Sequence, residues 1–408
     1  KFAGFDAVVF YGRAPTPVYL WVHDHEVEIR DAAHIWGKNN WETLEGLRRE
    51  LDDKRIRVAS IGQAGERLIP FACVQNDMEH YNGRGGMGAV MGSKNLKAVV
   101  ARGKQKLELA DPDKVKEIRQ WHNHRITVNP PNVGLSKAGT SGLVKGLNQA
   151  GILPTRNFKY GVFSGADKIG GEALHATIFH SSGTCYACTV KCKRRVASTD
   201  ETYPLDARFG GPEYETLGCL GSLLENDNLP ALARGNQLCN LYGLDTIATG
   251  GVIAFAMECF ENGILTEADT GGRPIQFGDG DAMLWLIEEI VNQRGIGKIL
   301  SQGVKRAAEI IGRGAGEFAF HIKGSEMPVH DGRGKTGMAL GYALAGEQES
   351  GATAAPRGTA RRRLILATGL VTALGAGVLV LAGGRMAGAS LDLIAGRIQG
   401  AVLPLQPL

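Results

Sequence analysis

"GRGGMGAVMGSKNLKAVV", residues 83–100, decides which fold class this chain can adopt. Its first six residues satisfy G-x-G-x-x-G, the spacing that lays glycine backbone against a pyrophosphate in a strand–turn–helix unit. Such a unit needs a strand directly before the glycines, a helix after them and an acid about 20 residues on. Here "NDMEHYN" precedes, and the residues after the loop are broken by Gly88 and Gly92 before they turn strand-like at "LKAVV". A doubly wound nucleotide fold is therefore not predicted. Bare glycine backbone beside Arg84 still suits a phosphate, through amide donors and a two-pronged guanidinium, and it equally suits a tight structural turn.

Outward from this loop, residues 1–103 read as strand-rich. "FDAVVFYG" and "IRVASIG" are short β-branched runs ending in Gly, and "PVYLWVHDHEVEIRD" reads as two strands around a polar turn near Asp24. From about residue 110 the pattern turns helical. "NDNLPALARGNQLCNLYG" offers Asp227 or Asn228 as cap, Pro230 in the first turn, a leucine face and Gly243 as stop. "TIATGGVIAFAMECFENG", "AMLWLIEEIVNQRG" and "KILSQGVKRAAEIIGRG" continue as helices. The expected class is α+β, a β-rich part followed by a mostly helical one.

The 408 residues suffice for two or three domains, and 43% apolar with 22% charged residues is ordinary globular composition. Net charge is 46 − 42 = +4, with no basic patch interleaved with aromatics, so no nucleic-acid partner is expected. Seven cysteines, an odd number that includes a tight triplet, argue against a secreted disulfide framework and for a reducing, cytoplasmic setting. The chain begins at Lys1 without a secretory leader pattern, so a piece of a longer protein is expected. Residues 364–382 form a 19-residue uncharged stretch preceded by Arg361, Arg362 and Arg363. That stretch reads either as a membrane anchor or as foreign sequence joined near residue 344.

"CYACTVKC", residues 185–192, places Cys185, Cys188 and Cys192 at C-x2-C-x3-C spacing, which supplies three thiolates to a cubane iron–sulfur cluster. A zinc site would show a second cysteine or histidine pair downstream, and core cysteines are usually dispersed. Lys191, Lys193, Arg194 and Arg195 crowd the triplet, either as a dock for an acidic electron carrier or as a solvated loop. "CNLYGLDTIATG", residues 239–250, joins two helices, with Asn240 and Asp245 flanking the Gly243 turn. Asp245 suits ring N–H groups, or merely caps the next helix. In "GPEYET", Glu213 and Glu215 are spaced i, i+2, and a buried one would suit general acid–base work, while a solvated first turn is the plain alternative. His122 and His124 read as surface residues.

In this order the stretches resemble the tungsten- or molybdenum-pterin aldehyde ferredoxin oxidoreductase family, extended by "KFAGFDAVVF", "PVYLWV", "VEIRDAAHIWGK" and "MPVHDGRGKTGMALGYA". The resemblance covers residues 1 to about 343. It implies aldehyde oxidation to carboxylic acid at a bis-pterin metal, with electrons leaving through a [4Fe–4S] cluster to ferredoxin or a similar carrier. It implies that Cys185, Cys188 and Cys192 hold the cluster, that Gly83 and Arg84 meet pterin phosphate, and that Tyr81 stands where a family alanine touches cofactor through its backbone. His80 stands where the family can have arginine. Asn240, Leu244 and Asp245 match the second pterin motif, and Glu215 matches a proton-relaying glutamate.

The same resemblance divides the chain. Residues 1–108 would be the C-terminal part of an incomplete β-rich pterin domain, and 109–317 the helical domain with the cluster and pterin motifs. Residues 318–343 would start a truncated third helical domain, and 344–408 would be a linker and apolar tail outside the family pattern. The fourth cluster thiolate is expected outside this chain, with Cys73, Cys219, Cys239 and Cys259 as conceivable substitutes. Arg234 and Leu284 occupy the positions of the family's subunit-bridging metal ligands, so a homodimer would form without that metal. The alternatives are a truncated or fused non-catalytic fragment and an iron–sulfur electron-transfer subunit.

Overall fold

The computed structural model describes residues 1–344. Strands β1 (Val18–His23) and β2 (Glu26–Asp31) form an antiparallel hairpin, joined by Asp24 (φ 41°) and His25 (φ 75°). Two consecutive left-handed residues are what a two-residue turn matching strand twist demands. With β3 (Arg57–Ser60), β4 (Val74–Asn76), β5 (His80–Asn82) and β6 (Leu96–Arg102) they make one sheet ordered β2-β1-β6-β3-β4-β5. Only β1 and β6 pair in parallel. This mixed, mainly antiparallel sheet is the α+β class expected, and not a nucleotide-binding one.

Both faces of the sheet are covered. Tyr19, Trp21, Val58, Ala98 and Val100 pack on Leu44 and Leu47 of the helix Asn40–Glu50. That helix starts with a reciprocal capping box, Asn39 with Glu42. On the other face Leu20, Val22, Val74 and Val99 pack with Met91. The run "FDAVVFYG" does not become a strand. Both edges of β1 are already taken, and the run lies as an unpaired strap whose Phe5, Val8 and Phe10 cover this second core.

The glycine-dense stretch holds a helix, Met87–Ser93, that the expectation of a Gly-broken loop did not contain. Its glycines have a packing reason. A Cβ at Gly88 would lie 2.5 Å from Cys73 O, and one at Gly92 2.0 Å from Gly65 O. The G-x-x-x-G spacing lets this helix touch the backbone of the short helix Gln63–Glu66. β5, the strand before the glycine loop, is a three-residue hairpin edge, so the dinucleotide unit is still absent.

The helical part has one large core built around the helix Thr246–Glu261, buried from Ala248 to Cys259. The helix Leu229–Tyr242 starts at Asn228, whose side chain accepts from Ala231 N, and stops at Gly243 with φ 76°. Gly280–Asn292 is helical as expected. "KILSQGVKRAAEIIGRG" differs. It forms two helices, Gly297–Leu300 and Val304–Ile311, separated at Gly303, where φ is 83°. His122 and His124 are exposed on the helix Pro112–Val128. Two small hairpins, Phe179–Gly183 with Lys193–Val196 and His321–Ile322 with Ser325–Glu326, lie beside the cavity described below. Among the described residues no helix is long and apolar enough to cross a membrane, and the stretch 364–382 lies outside them.

The glycine contacts predict opposite outcomes for two Gly→Ala changes. Gly92→Ala drives a methyl into Gly65 O and should cost about 1–3 kcal/mol by overpacking. Gly134→Ala, exposed in the helix Pro130–Ala138 with nothing within 4 Å of the new methyl, should gain about 0.5–1 kcal/mol. Equilibrium urea unfolding of both variants checks the pair.

Candidate functional site

Two turns meet where the sheet joins the helical part. Between the helices Leu229–Tyr242 and Thr246–Glu261 the chain crosses Gly243, Leu244 and Asp245. Cys73 N donates to Gly243 O at 2.8 Å and Asp245 N to Phe71 O at 3.1 Å, with Ala72 and Leu244 paired between them. A side chain at Gly62 would strike Tyr242 O at 2.3 Å, so the sheet side reaches this turn as bare backbone. Asn40 Nδ2 donates to Asn240 O at 3.0 Å, and Asn240 Nδ2 to Phe209 O at 2.8 Å.

Asp245 is 8% exposed and caps the second helix, its carboxylate accepting from Ile247 N (3.1 Å) and Ala248 N (3.3 Å). Arg84 Nη1 donates to the same carboxylate at 3.1 Å. Arg84 Nη2 donates to Ser325 Oγ (2.8 Å) and Glu326 O (2.6 Å). One guanidinium thus joins the glycine loop, the helix turn and the hairpin Ser325–Glu326. Burial pushes the Asp245 carboxyl up from its ordinary value, while Arg84 and the two capping amides pull it down.

Tyr81, Gly83, Arg84, Glu215, Asn240, Leu244 and Asp245, singled out from sequence, all line one cavity of about 210 Å³. Tyr81 donates to Met78 O at 3.1 Å and Lys193 Nζ stands 5.9 Å over its ring. Glu215, in the first turn of the helix Tyr214–Leu220, accepts from Val329 N at 2.9 Å and lies 2.7 Å from His330 Nδ1. It is therefore engaged, and not merely a solvated first turn. His80 is half-buried with Nε2 unpartnered and is not among the lining residues; burial, helped by Lys193, pushes its pKa down.

Cys185, Cys188 and Cys192 sit on the loop of the hairpin Phe179–Gly183/Lys193–Val196, turned by Ala187 (φ 53°) and Lys191 (φ 56°). The loop is anchored by a two-pronged ion pair from Arg195 to Glu79, one arm at 2.8 Å. Arg194 is 4% exposed and donates to Lys137 O (2.8 Å) and Ser136 O (3.0 Å). Lys193 faces Glu213 at 3.9 Å. Arg194 is thus buried, Arg195 and Lys193 face acids, and Lys191 is exposed. The residues after Cys192, Lys193 and Arg194, form a wall of the cavity. Burial raises the Cys192 thiol, and nearby Glu213 adds to the rise.

Sequence inspection missed Asn236, Thr216, Gly210 and Gly211, which also line the cavity, and His330 behind Glu215. Asn236 had a signal. It lies four residues before Asn240, one helical turn away on the same face. Its Nδ2 is buried without a partner.

Residues 1–103 match the family described as aldehyde ferredoxin oxidoreductase, N-terminal domain, and residues 117–355 its domains 2 and 3. This chain belongs to the aldehyde ferredoxin oxidoreductase family. It is 42% identical over 349 residues to a tungsten-containing aldehyde ferredoxin oxidoreductase of Pyrococcus abyssi, covering 84% of this chain and 56% of that protein. It is 32% identical over 348 residues to an aliphatic sulfonate oxidoreductase, WOR-like subunit, of Pyrococcus furiosus, covering 81% and 55%. Its fold is similar to the active-site complex BamBC of benzoyl coenzyme A reductase with 1,5-dienoyl-CoA, with TM-score 0.66 and 29% identity, covering 79% of this chain and 50% of that one. The chain spans about half the length of the curated relatives it matches.

The family's cofactor group can be tested against the residues present. The orphan Asn236 donor, the Asp245 acceptor, Arg84 and the open Gly83 backbone suit a heterocycle with ring N–H groups and an anionic tail. Three cysteines on one short loop suit a cluster. Cys73, Cys219, Cys239 and Cys259 are buried free thiols, and desolvation raises each of them, which disfavours the thiolate a cluster needs.

A buried acid with a raised pKa costs stability in its charged form. The folded state binds a proton that the unfolded state has released, so the stability contribution is present below the ordinary pKa of 3.8 and lost as pH rises through the folded one. Asp245→Asn keeps a capping oxygen and never ionises. Relative to the parent, its unfolding free energy should improve from pH 4 to pH 8, measured by urea unfolding of the cofactor-free chain.

Proposed function

We propose that this chain is the cofactor-binding part of an oxidoreductase that converts aldehydes to carboxylic acids. A tungsten or molybdenum bis-pterin would be held at the cavity and a [4Fe–4S] cluster on the cysteine hairpin, with ferredoxin or a similar carrier as acceptor. The observation that supports it most is the Arg84–Asp245 pair across the two turns, with Glu215 on the wall of the same cavity. When bound, these groups supply a two-electron metal and a one-electron outlet.

The chain's own residues divide the remaining work. Arg84 and the amides around Gly83 bind an anionic tail. Asp245 accepts ring N–H groups, and Asn236 donates to a ring or carbonyl acceptor. Asn240 and Leu244 shape the wall, and Tyr81 closes the side toward the cysteine hairpin. Aldehyde and water become acid, two protons and two electrons, and the Glu215 carboxylate is placed to take one of those protons. Residues 1–108, 109–317 and 318–343 are proposed as separate domains around this site. The seven free thiols support a reducing cytoplasmic location, and a homodimer is proposed without a bridging metal.

Anaerobic reconstitution with iron and sulfide, then with the metal-pterin, is expected to load both groups. Cys185→Ser, Cys188→Ser or Cys192→Ser should each remove the cluster, seen as loss of the charge-transfer absorption and of about four irons per chain. Glu215→Gln should retain the metal and lower kcat for aldehyde by about 10²–10⁴-fold. Iron and sulfide without tungsten or molybdenum would instead identify an electron-transfer unit, and neither group would identify a non-catalytic fragment.

A further inference from the structure

We propose that His330 is a positioning residue that acts through Glu215 and completes a proton exit from the cavity to solvent. This rests on the reaction proposed above. Glu215 lines the cavity and His330 does not. His330 stands directly behind the carboxylate, Nδ1 lying 2.7 Å from Glu215 Oε1 within ion-pair reach. Nδ1 is buried and has no aligned hydrogen bond in the resting arrangement, so it is available to the carboxylate alone.

The His330 side chain is 31% exposed while its Nδ1 is buried, so the accessible surface belongs to the rest of the side chain. Its placement is built rather than incidental. Val329 N fixes the other carboxylate oxygen at 2.9 Å, and Tyr214 Oη donates to Val329 O at 2.5 Å. The Tyr214 ring meets the imidazole edge-on with centroids 5.1 Å apart, and Tyr342 Oη holds His330 O at 2.9 Å. Four contacts from three elements thus set one imidazole against one carboxylate.

The proton count closes. Glu215 takes one proton from the cavity as a neutral carboxyl and passes it to Nδ1. The resulting imidazolium gives up its Nε2 proton to water, and a turn of the ring that brings Nδ1 to water, releasing its proton while Nε2 takes one up, restores the starting tautomer. Other ionisable groups facing the pair are Arg84 and Asp245 across the cavity, Asp331 with its partner Arg333, the buried Cys219, and the phenols Tyr214 and Tyr342. Burial holds both phenols protonated, Tyr342 being pushed up to about 12, so neither competes as a relay near neutral pH.

Two measurements test this. The first needs no cofactor: the 408-residue chain is labelled with ¹⁵N-histidine, and the His330 ring signals are assigned by their loss in His330→Gln. They should shift in Glu215→Gln. Unmoved signals would show that the pair does not exist and overturn the proposal.

The second uses the loaded chain. His330→Gln and His330→Ala should lower kcat by about tenfold or more with KM within about twofold, and lose one ionisation from the pH profile. Added imidazole should restore His330→Ala. Unchanged kcat and pH profile in both variants would overturn the relay while leaving aldehyde oxidation standing. No turnover by the loaded parent would remove the aldehyde reading and the relay with it, and the ring signals would separate that failure from absence of the pair.

Discussion

Everything at the site depends on the backbone clip between Phe71–Cys73 and Gly243–Asp245. Cys73 N and Asp245 N each donate across it, at 2.8 and 3.1 Å. Without these bonds, polar backbone would be stranded in the core between sheet and helices. The clip also sets the position of Asp245, whose carboxylate must cap a helix and face Arg84 at once. A shift of the clip by the width of one methyl would separate the two turns; Gly62 has no room for one, and Gly243 holds a left-handed φ of 76° that disfavours one. The sheet and the helical part therefore share one joint, and the cavity is what that joint leaves open.

Charge spreads the constraint outward from the clip. Arg84 ties the joint to the hairpin Ser325–Glu326, and Glu326, 5% exposed, accepts from Val304 N at 2.8 Å at the start of the helix Val304–Ile311. On the other side, Arg195 with Glu79 and Arg194 with three carbonyls fasten the cysteine hairpin to the same rim. Gly139 completes the fastening, since a Cβ there would lie 2.6 Å from Cys192 O. Buried charge is costly unless paired, so these pairs fix geometry more than they add stability. A run of basic residues that looked like surface thus holds a loop in place.

How much was legible in the sequence depends on the range of the forces involved. Local chemistry showed through: the Asp24-His25 turn, the Asn228 cap, Pro230 and the Gly243 stop all act within a few residues and stand where expected. The seven non-cysteine site residues came from motif resemblance, and they share one cavity. Long-range features were hidden. "FDAVVFYG" has strand chemistry, but pairing depends on a free edge that the rest of the sheet decides. Met87–Ser93 has two helix-weakening glycines whose compensation is contact with backbone more than 20 residues away, at Gly65. His330 is more than 100 residues from Glu215, and no local pattern announces that approach.

The polarity of the cavity wall constrains what it can hold. Asn236 Nδ2 is buried with no partner, and an unmade hydrogen bond of this kind costs about 1–3 kcal/mol. Asp245 bears a desolvated charge that Arg84 offsets in part. An apolar ligand would leave both costs in place, and a wholly anionic one would meet Asp245, Glu213 and Glu215 on the same wall. A ligand that answers both must carry N–H donors and an acceptor on one edge and negative charge near Arg84. The same logic would put the proposed chemistry on the Glu215 side. It is where the wall offers a carboxylate with a second titratable ring behind it, away from the Arg84–Asp245 pair that would fix the ligand.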